Sequence, residues 1–361
     1  MKLDLEQLDP EIGADSHPES EHKLPKSLWT KMVAQYQQPD VRTSIWQVIN
    51  SFGGFLLTWC LMWLSLRYSY VLTLALSVPA AGFLMRIFII QHDCGHGSFL
   101  KSRSVSDVIG TIAGILTLTP YRFWRKSHAI HHASASNLEE RGVGDVYTMT
   151  VSEYLEASRW ERLKYRVYRN PVFLFGIVPG LLFIVLYRFP YSDSKNWKKE
   201  DRHSVYWTNL AIAGVVAGMC LLIGWREFLL IQLPITLISA SAGTFLFYVQ
   251  HQFEDTYRAN KPEWEYALAA MQGSSYYQMP RVFQWFTGNI GFHHIHHLSP
   301  RIPNYRLEQC HNENPLFQRV VVLTFWSSLR TMFLTLWDEK QKKLISFGEL
   351  STLRQSSAGS V

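Results

Sequence analysis

Cysteine is nearly absent from this 361-residue chain. The four residues form no C-x-x-C pair and supply no disulfide framework. Cys60 and Cys220 lie in apolar runs, Cys94 lies inside a histidine cluster and Cys310 near another. Cys94 reads as a small filler, with an extra metal ligand as the alternative. A cleaved secretory leader is not expected either. Residues 1–44 are polar and rich in charge, with no short apolar core and no small-residue cleavage site, so the first apolar run is expected to be an uncleaved anchor. Charge is missing from four long stretches. Residues 46–66 carry none, and 69–90, 206–225 and 227–250 carry only Arg86 and Glu227 between them. About 20 apolar residues at 1.5 Å rise each span a bilayer. The mean hydropathy of −0.04 hides these runs because polar loops cancel them. One integral membrane domain with polar tails is therefore expected in place of a soluble chain of two or three domains. The expected organisation is a polar cytoplasmic segment (1–44), one membrane unit (45–337) and a polar tail (338–361) whose last six residues fray. The 13 Trp and 17 Tyr suit rings at headgroup level.

Cytoplasmic flanks are enriched in Lys and Arg. The segment before the first run carries Lys23, Lys26, Lys31 and Arg42, whereas the short link after it carries only Arg67. The second run is thus expected to return to the cytoplasm. Residues 206–225 and 227–250 are expected to form a hairpin turning around Trp225-Arg226. Two shorter apolar segments, 106–120 and 171–189, have basic residues on both sides, and Pro179-Gly180 interrupts the second. Both are expected to be re-entrant or interfacial, their irregular backbone covered by protein. The expected fold is an all-α integral membrane protein: four transmembrane helices, two re-entrant or interfacial segments, and a cytoplasmic helical cap carrying a metal site. The net charge of +6 sits largely in these flanks, and no nucleic-acid partner is expected.

Ten of the 14 histidines fall in four clusters, each after an apolar segment. His92 and His96 are spaced i, i+4. His128, His131 and His132 are spaced i, i+3, i+4, and His293, His296 and His297 repeat that pattern; each set shares one helix face. His294 points elsewhere and is left out. His251 ends the last apolar run. A lone histidine beside an apolar run is usually a packed, hydrogen-bonded residue. A whole set of unpaired imidazoles at ligand spacing would cost burial energy without return, because buried polar groups need partners. Metal ions provide them. The number of nitrogens argues for two ions, each taking four or five imidazoles. Imidazole alone suits Zn, Cu, Fe or Ni.

The clusters "HDCGH", "HAIHH" and "HHIHH" resemble the three histidine boxes of membrane fatty-acid desaturases. "RIFIIQHDCGHGSF", "SNLEERGVGDVYTMTVSEY", "LFYVQHQFEDTY" and "GSSYYQMPRVFQWFTGNIGFHHIHHLSPRIPNY" extend the similarity over about residues 25–340, toward bacterial acyl-lipid desaturases of the delta-5 type. The resemblance implies two irons that activate dioxygen with two supplied electrons and remove two hydrogens from adjacent methylenes. It implies His92, His96, His128, His131, His132, His293, His296 and His297 as iron ligands, with His251 as a further one. Acyl-CoA relatives place an asparagine one turn before that histidine; here the residue is Phe247, and Asn289 is the candidate substitute. The expected partners are phospholipid acyl chains, a bacterial cell membrane with the site on its cytoplasmic side, and a separate ferredoxin-like electron donor, since no "HPGG" haem motif is present.

Metal-bound histidines usually donate their other N–H to a carboxylate or carbonyl. Asp93, Asp145, Glu254 and Asp255 are the candidates in sequence, each with a plain cap or solvated charge as its alternative. Arg125 and Lys126, beside Trp124, are candidates for a phosphate headgroup, the alternative being ordinary positive flanks. Phe283, Trp285 and Phe286 read either as walls of an acyl channel or as an interfacial belt. Two other functions share the chemistry of the boxes: a lipid, alkane or carotenoid hydroxylase, and, more remotely, a metal transporter.

Overall fold

The computed structural model describes residues 25–142, 144–190 and 197–358. The polar segment 1–24, with Lys23, and the final residues 359–361 lie outside the described residues. A short helix α1 (Lys26–Ala34) precedes α2 (Val41–Ser65), whose first turn is capped by the Asp40 side chain accepting from the Thr43 N–H. Helix α3 (Tyr70–His96) follows and stops at Gly97, which takes a left-handed φ of 71°. Helices α4 (Arg103–Leu116) and α5 (Tyr121–Ser134) come next.

Beyond strand β1 (Met149–Thr150), helices α6 (Val151–Glu156) and α7 (Arg159–Tyr168) both start with capping boxes, Thr150 with Glu153 and Ser158 with Glu161. The run 173–188 is irregular: wide π turns at Phe173–Ile177 and Leu181–Val185 flank the short α8 (Val178–Gly180), and a 3-10 turn ends it. Pro179 has no N–H to give to the ladder, which accounts for the break. The antiparallel pair α9 (Lys199–Ile223) and α10 (Trp225–His251) turns at Gly224, φ 93°.

Four helices, α2, α3, α9 and α10, are long and apolar enough to cross a membrane. Four helices suited to the expected spans are therefore present, each extending beyond at least one end of its apolar stretch. A further pair, α7 with 173–188, is bent by 58° at its break, the form of a broken span or a re-entrant loop. At 14 residues α4 is about 21 Å long, short of a bilayer. It buries Ser106, Gly110, Ala113 and Gly114 and exposes Val105, Val108 and Ile112, as an interfacial helix does. Helix α3 is the hub, packed on α2, α4, α5 and α10. Half of its apolar window is buried, against 6% for α9, so α3 is central and α9 peripheral. Gly54 and Gly82 allow rings to seat there: a Cβ at either would run into Phe83 or Phe286.

The cap is completed by α11 (Tyr266–Met271), β2 (Tyr276–Tyr277), α12 (Arg281–Phe286), α13 (His293–Leu298), α14 (Asn304–Glu313), β3 (Val322–Leu323), α15 (Phe325–Thr331), β4 (Leu334–Asp338), β5 (Lys343–Ser346) and α16 (Phe347–Ala358). Strand β4 pairs parallel with β1 and antiparallel with β5; β2 pairs parallel with β3. Residues 338–346, read in sequence as the start of a polar tail, belong to this folded hairpin, with Leu344 and Ile345 buried. Buried Arg169 ties the hairpin down. It donates to the carbonyls of Tyr147 and Leu334, and to Thr148 Oγ1, Tyr248 Oη and Gln252 Oε1. In sequence this arginine is one more basic flank; in the fold it is a structural cation.

Candidate metal centre

Two spanning helices end in ligand-bearing turns. Helix α3 finishes with His92 and His96, and α10 with His251. Helix α5 supplies His128, His131 and His132, and the single-turn α13 supplies His293, His296 and His297. The nine rings sort into two groups. One holds His92, His96, His128, His132 and His296; the other holds His131, His251, His293 and His297. Within each group the ligand nitrogens lie within 4.8 Å of one another. In the first, His296 Nε2 is 3.0 Å from His92 Nε2 and 2.9 Å from His132 Nε2. In the second, His251 Nε2 is 2.9 Å from His293 Nε2 and 3.2 Å from His131 Nε2. Helices α5 and α13 thus serve both groups, α3 only the first and α10 only the second.

These donors suit metal ions. His92 Nδ1 faces Asp93 Oδ1 at 3.1 Å, and His251 Nδ1 faces the Gly273 carbonyl at 3.0 Å. Both contacts place the ring proton on Nδ1 and leave Nε2 as a bare lone pair inside. His96 Nε2 and His297 Nε2 are buried with no hydrogen-bond partner, and each such orphan costs about 1–3 kcal/mol. Bare nitrogens about 3 Å apart repel, whereas a shared cation binds them. Burial pushes His131 down to about 3 and holds His128, His132, His293, His296 and His297 well below the usual range. The rings are therefore neutral at physiological pH, which is the ligating form.

The surroundings sort the sequence candidates. Asp93 holds His92 and also accepts from the backbone N–H of Asn304 at 2.7 Å and from its Nδ2 at 2.8 Å. Asn304 exchanges two hydrogen bonds with Gln47 of α2. Three elements thereby fix one ligand ring. Asp93→Asn cannot accept on every side, and is expected to weaken metal retention about 10–100-fold. Metal content after dialysis against a graded chelator series measures this; wild-type retention would remove Asp93 from the site. Asp145 sits on the rim of a cavity beside the site, its Oδ1 accepting from the Val146 N–H at 2.7 Å. It lies close enough for its charge to oppose the downward shift of His131.

Glu254 and Asp255 are corrections. The chain turns outward after Gln252, both side chains are exposed, and Glu254 pairs with Lys343 at 3.1 Å. The Gly273 carbonyl takes the place beside His251 that a carboxylate was expected to take. Asn289 is likewise engaged elsewhere: its Oδ1 accepts from Gln284 Nε2 and its Nδ2 donates to the Asn304 carbonyl. The Phe247 ring lies 5.0 Å from His131 and 5.4 Å from His251. Arg125 and Lys126 carry carboxylate partners, Asp107 at 2.9 Å and Asp201 at 3.1 Å. Those acids, from α4 and the start of α9, sit where a phosphate was expected. Trp285 and Phe286 pack on Phe83, Trp285 stacks on Arg86, and Phe283 is exposed. This is an outer belt rather than a channel wall. His294 stands outside both groups, its Nε2 3.1 Å from His311 Nδ1. Cys94 packs among Ile90, Phe99 and Tyr121 as filler. Asn304, Gln47 and His311 were not singled out in sequence. For Asn304 a signal existed, its place in the "RIPNY" string just after the last histidine cluster.

A cavity of about 500 Å³ adjoins the two groups, with His92, His128 and His293 at one end. Its walls are mainly apolar, with Phe88, Trp124, Leu182 and Phe183 on one side and α10 on the other. The arrangement places a mainly apolar space beside the two groups of imidazoles.

A family model described as fatty acid desaturase matches residues 68–327. A fatty acid desaturase of Bacillus subtilis is 49% identical over 318 residues, covering 88% of this chain and 90% of that protein. An sn-1 oleoyl-lipid 12-desaturase of Synechocystis is 30% identical over 234 residues, covering 62% of this chain and 63% of that protein. A chloroplastic omega-6 fatty acid desaturase of Spinacia oleracea is 27% identical over 240 residues, and the match spans 50% of its length.

Proposed function

Because the chain belongs to the fatty acid desaturase family, we propose that it introduces a cis double bond into a saturated acyl chain of a membrane lipid, at the delta-5 position, using dioxygen and two irons. The observation that carries this reading is the pair of all-imidazole groups at the end of an apolar cavity. A zinc ion has no redox chemistry, whereas two irons supply the dioxygen activation that an unactivated C–H bond requires. The protein's own part is positional. The nine imidazoles hold the ions, Asp93 and the Gly273 carbonyl fix two of the rings, and Phe247, Phe88 and Trp124 shield the reacting methylenes. The acyl-lipid substrate and delta-5 bond rest on the sequence strings that resemble that type. Two electrons come from a separate ferredoxin-like donor, which exposed Arg159, Lys164 and Arg166 on α7 would attract if acidic. With 173–188 entering and leaving on one face, the metal groups lie on the cytoplasmic side.

Expression in a host that lacks unsaturated lipids, with the product mapped by mass spectrometry, tests the reading. The expected product carries a new double bond five carbons from the carboxyl end. An alcohol in its place would indicate a hydroxylase, and no new product would reject the proposal.

A further inference from the structure

On α10 eight residues line the cavity, among them Thr236, Ser239, Ala240, Gly243, Thr244 and Phe247. Their spacing of three and one puts them on a single face. Five of the eight are small, while the segment 173–188 brings Leu182, Phe183, Leu186 and Tyr187 to the same cavity. Space alongside α10 therefore exists because its side chains are short. Gly243 is the extreme case. Gly54 and Gly82, in α2 and α3, are filled by neighbouring rings, whereas a Cβ at Gly243 would meet nothing within 4 Å. Glycine inside a helix costs about 1 kcal/mol relative to alanine, and here no packed neighbour explains it. Gly214 of α9 is equally open, but it is exposed and does not line this cavity. Phe247, one turn closer to the metal groups, fills the opposite extreme with its ring beside His131.

We propose that Gly243 and Ala240 set the position of the double bond by letting the acyl chain pass beyond the metal groups along α10. The inference rests on the desaturase reading. The length of chain lodged between the Phe247 level and the Thr236 level, about 16 Å along the helix, fixes which methylenes lie beside the histidines. Bulk at Gly243 then shortens the lodged segment.

The test compares the wild type with Gly243→Leu, Ala240→Leu and the outward control Gly214→Leu, in cells supplied with saturated chains of graded length. Metal content of each purified variant verifies that the site is assembled. The expected result is a double bond shifted toward the lodged end of the chain, or at least a tenfold preference for shorter chains, in the two cavity variants and not in the control. The direction of the shift also identifies which end of the chain is lodged. Unchanged bond position and chain-length preference at both cavity positions would overturn the proposal. So would metal-loaded variants inactive toward every chain length, because a depth gauge spares short chains. A wild type that makes no double bond would instead reject the desaturase reading.

Discussion

His131→Ala is expected to lower double-bond formation by more than about 100-fold, exceeding the loss that follows from disturbing only a ligand's supporting partner, while leaving the protein inserted in the membrane. His131 is the only α5 residue in the four-imidazole group. Without it His251, His293 and His297 remain, and a buried gap opens beside Phe247. The five-imidazole group keeps every member. Metal analysis is therefore expected to show one ion lost of two, and membrane fractionation to show normal amounts of protein. Full turnover with both ions retained would contradict the grouping.

The second large effect concerns acid and metal removal together. Six imidazoles outside the spanning helices are held below their usual range by burial, His131 at about 3 from an ordinary 6.5. Between those two values such a group binds fewer protons folded than unfolded. Stability then rises with pH across that window, and is fully present only above the unfolded value. The slope is about 1.4 kcal/mol per pH unit for each imidazole. Metal-stripped protein is thus expected to lose melting temperature steeply as pH falls from 7 to 5. The metal-loaded protein is expected to resist, because ligands in use must first release their metal to take a proton. Parallel melting curves against pH give the measurement, and identical curves for the two forms would mean that the imidazoles do not bind metal.

The membrane skeleton was legible because its signal is long. Runs of about 20 residues with at most one charge name four helices, and the basic residues around 106–120 and 171–189 mark segments that differ from them. The histidines were legible because i, i+3, i+4 spacing gives a shared face. The division of those histidines was not. His128 and His132 go to one group and His131 to the other, because α5 runs between the two positions and its face is wide enough to meet both. Only the crossing of α5 with α3, α10 and α13 decides that. The supporting partners were half legible. Asp93 is adjacent in sequence to the ring it holds, whereas the Gly273 carbonyl is a backbone atom with no residue type to announce it. Glu254 and Asp255 misled because they are close in sequence to His251 but follow the end of its helix. The two small sheets escaped because strands of two to five residues are too short for a period of two to stand out.

Helix α13 carries a consequence for how this chain tolerates change. In fewer than two turns, His293 and His297 join one group, His296 joins the other, and His294 meets His311. Each added or deleted residue would rotate everything after it by about 100°, handing each nitrogen to the wrong neighbour. An insertion is therefore expected to be tolerated only in the connections outside that turn, where a misplaced residue shifts a loop instead of a whole set of donors.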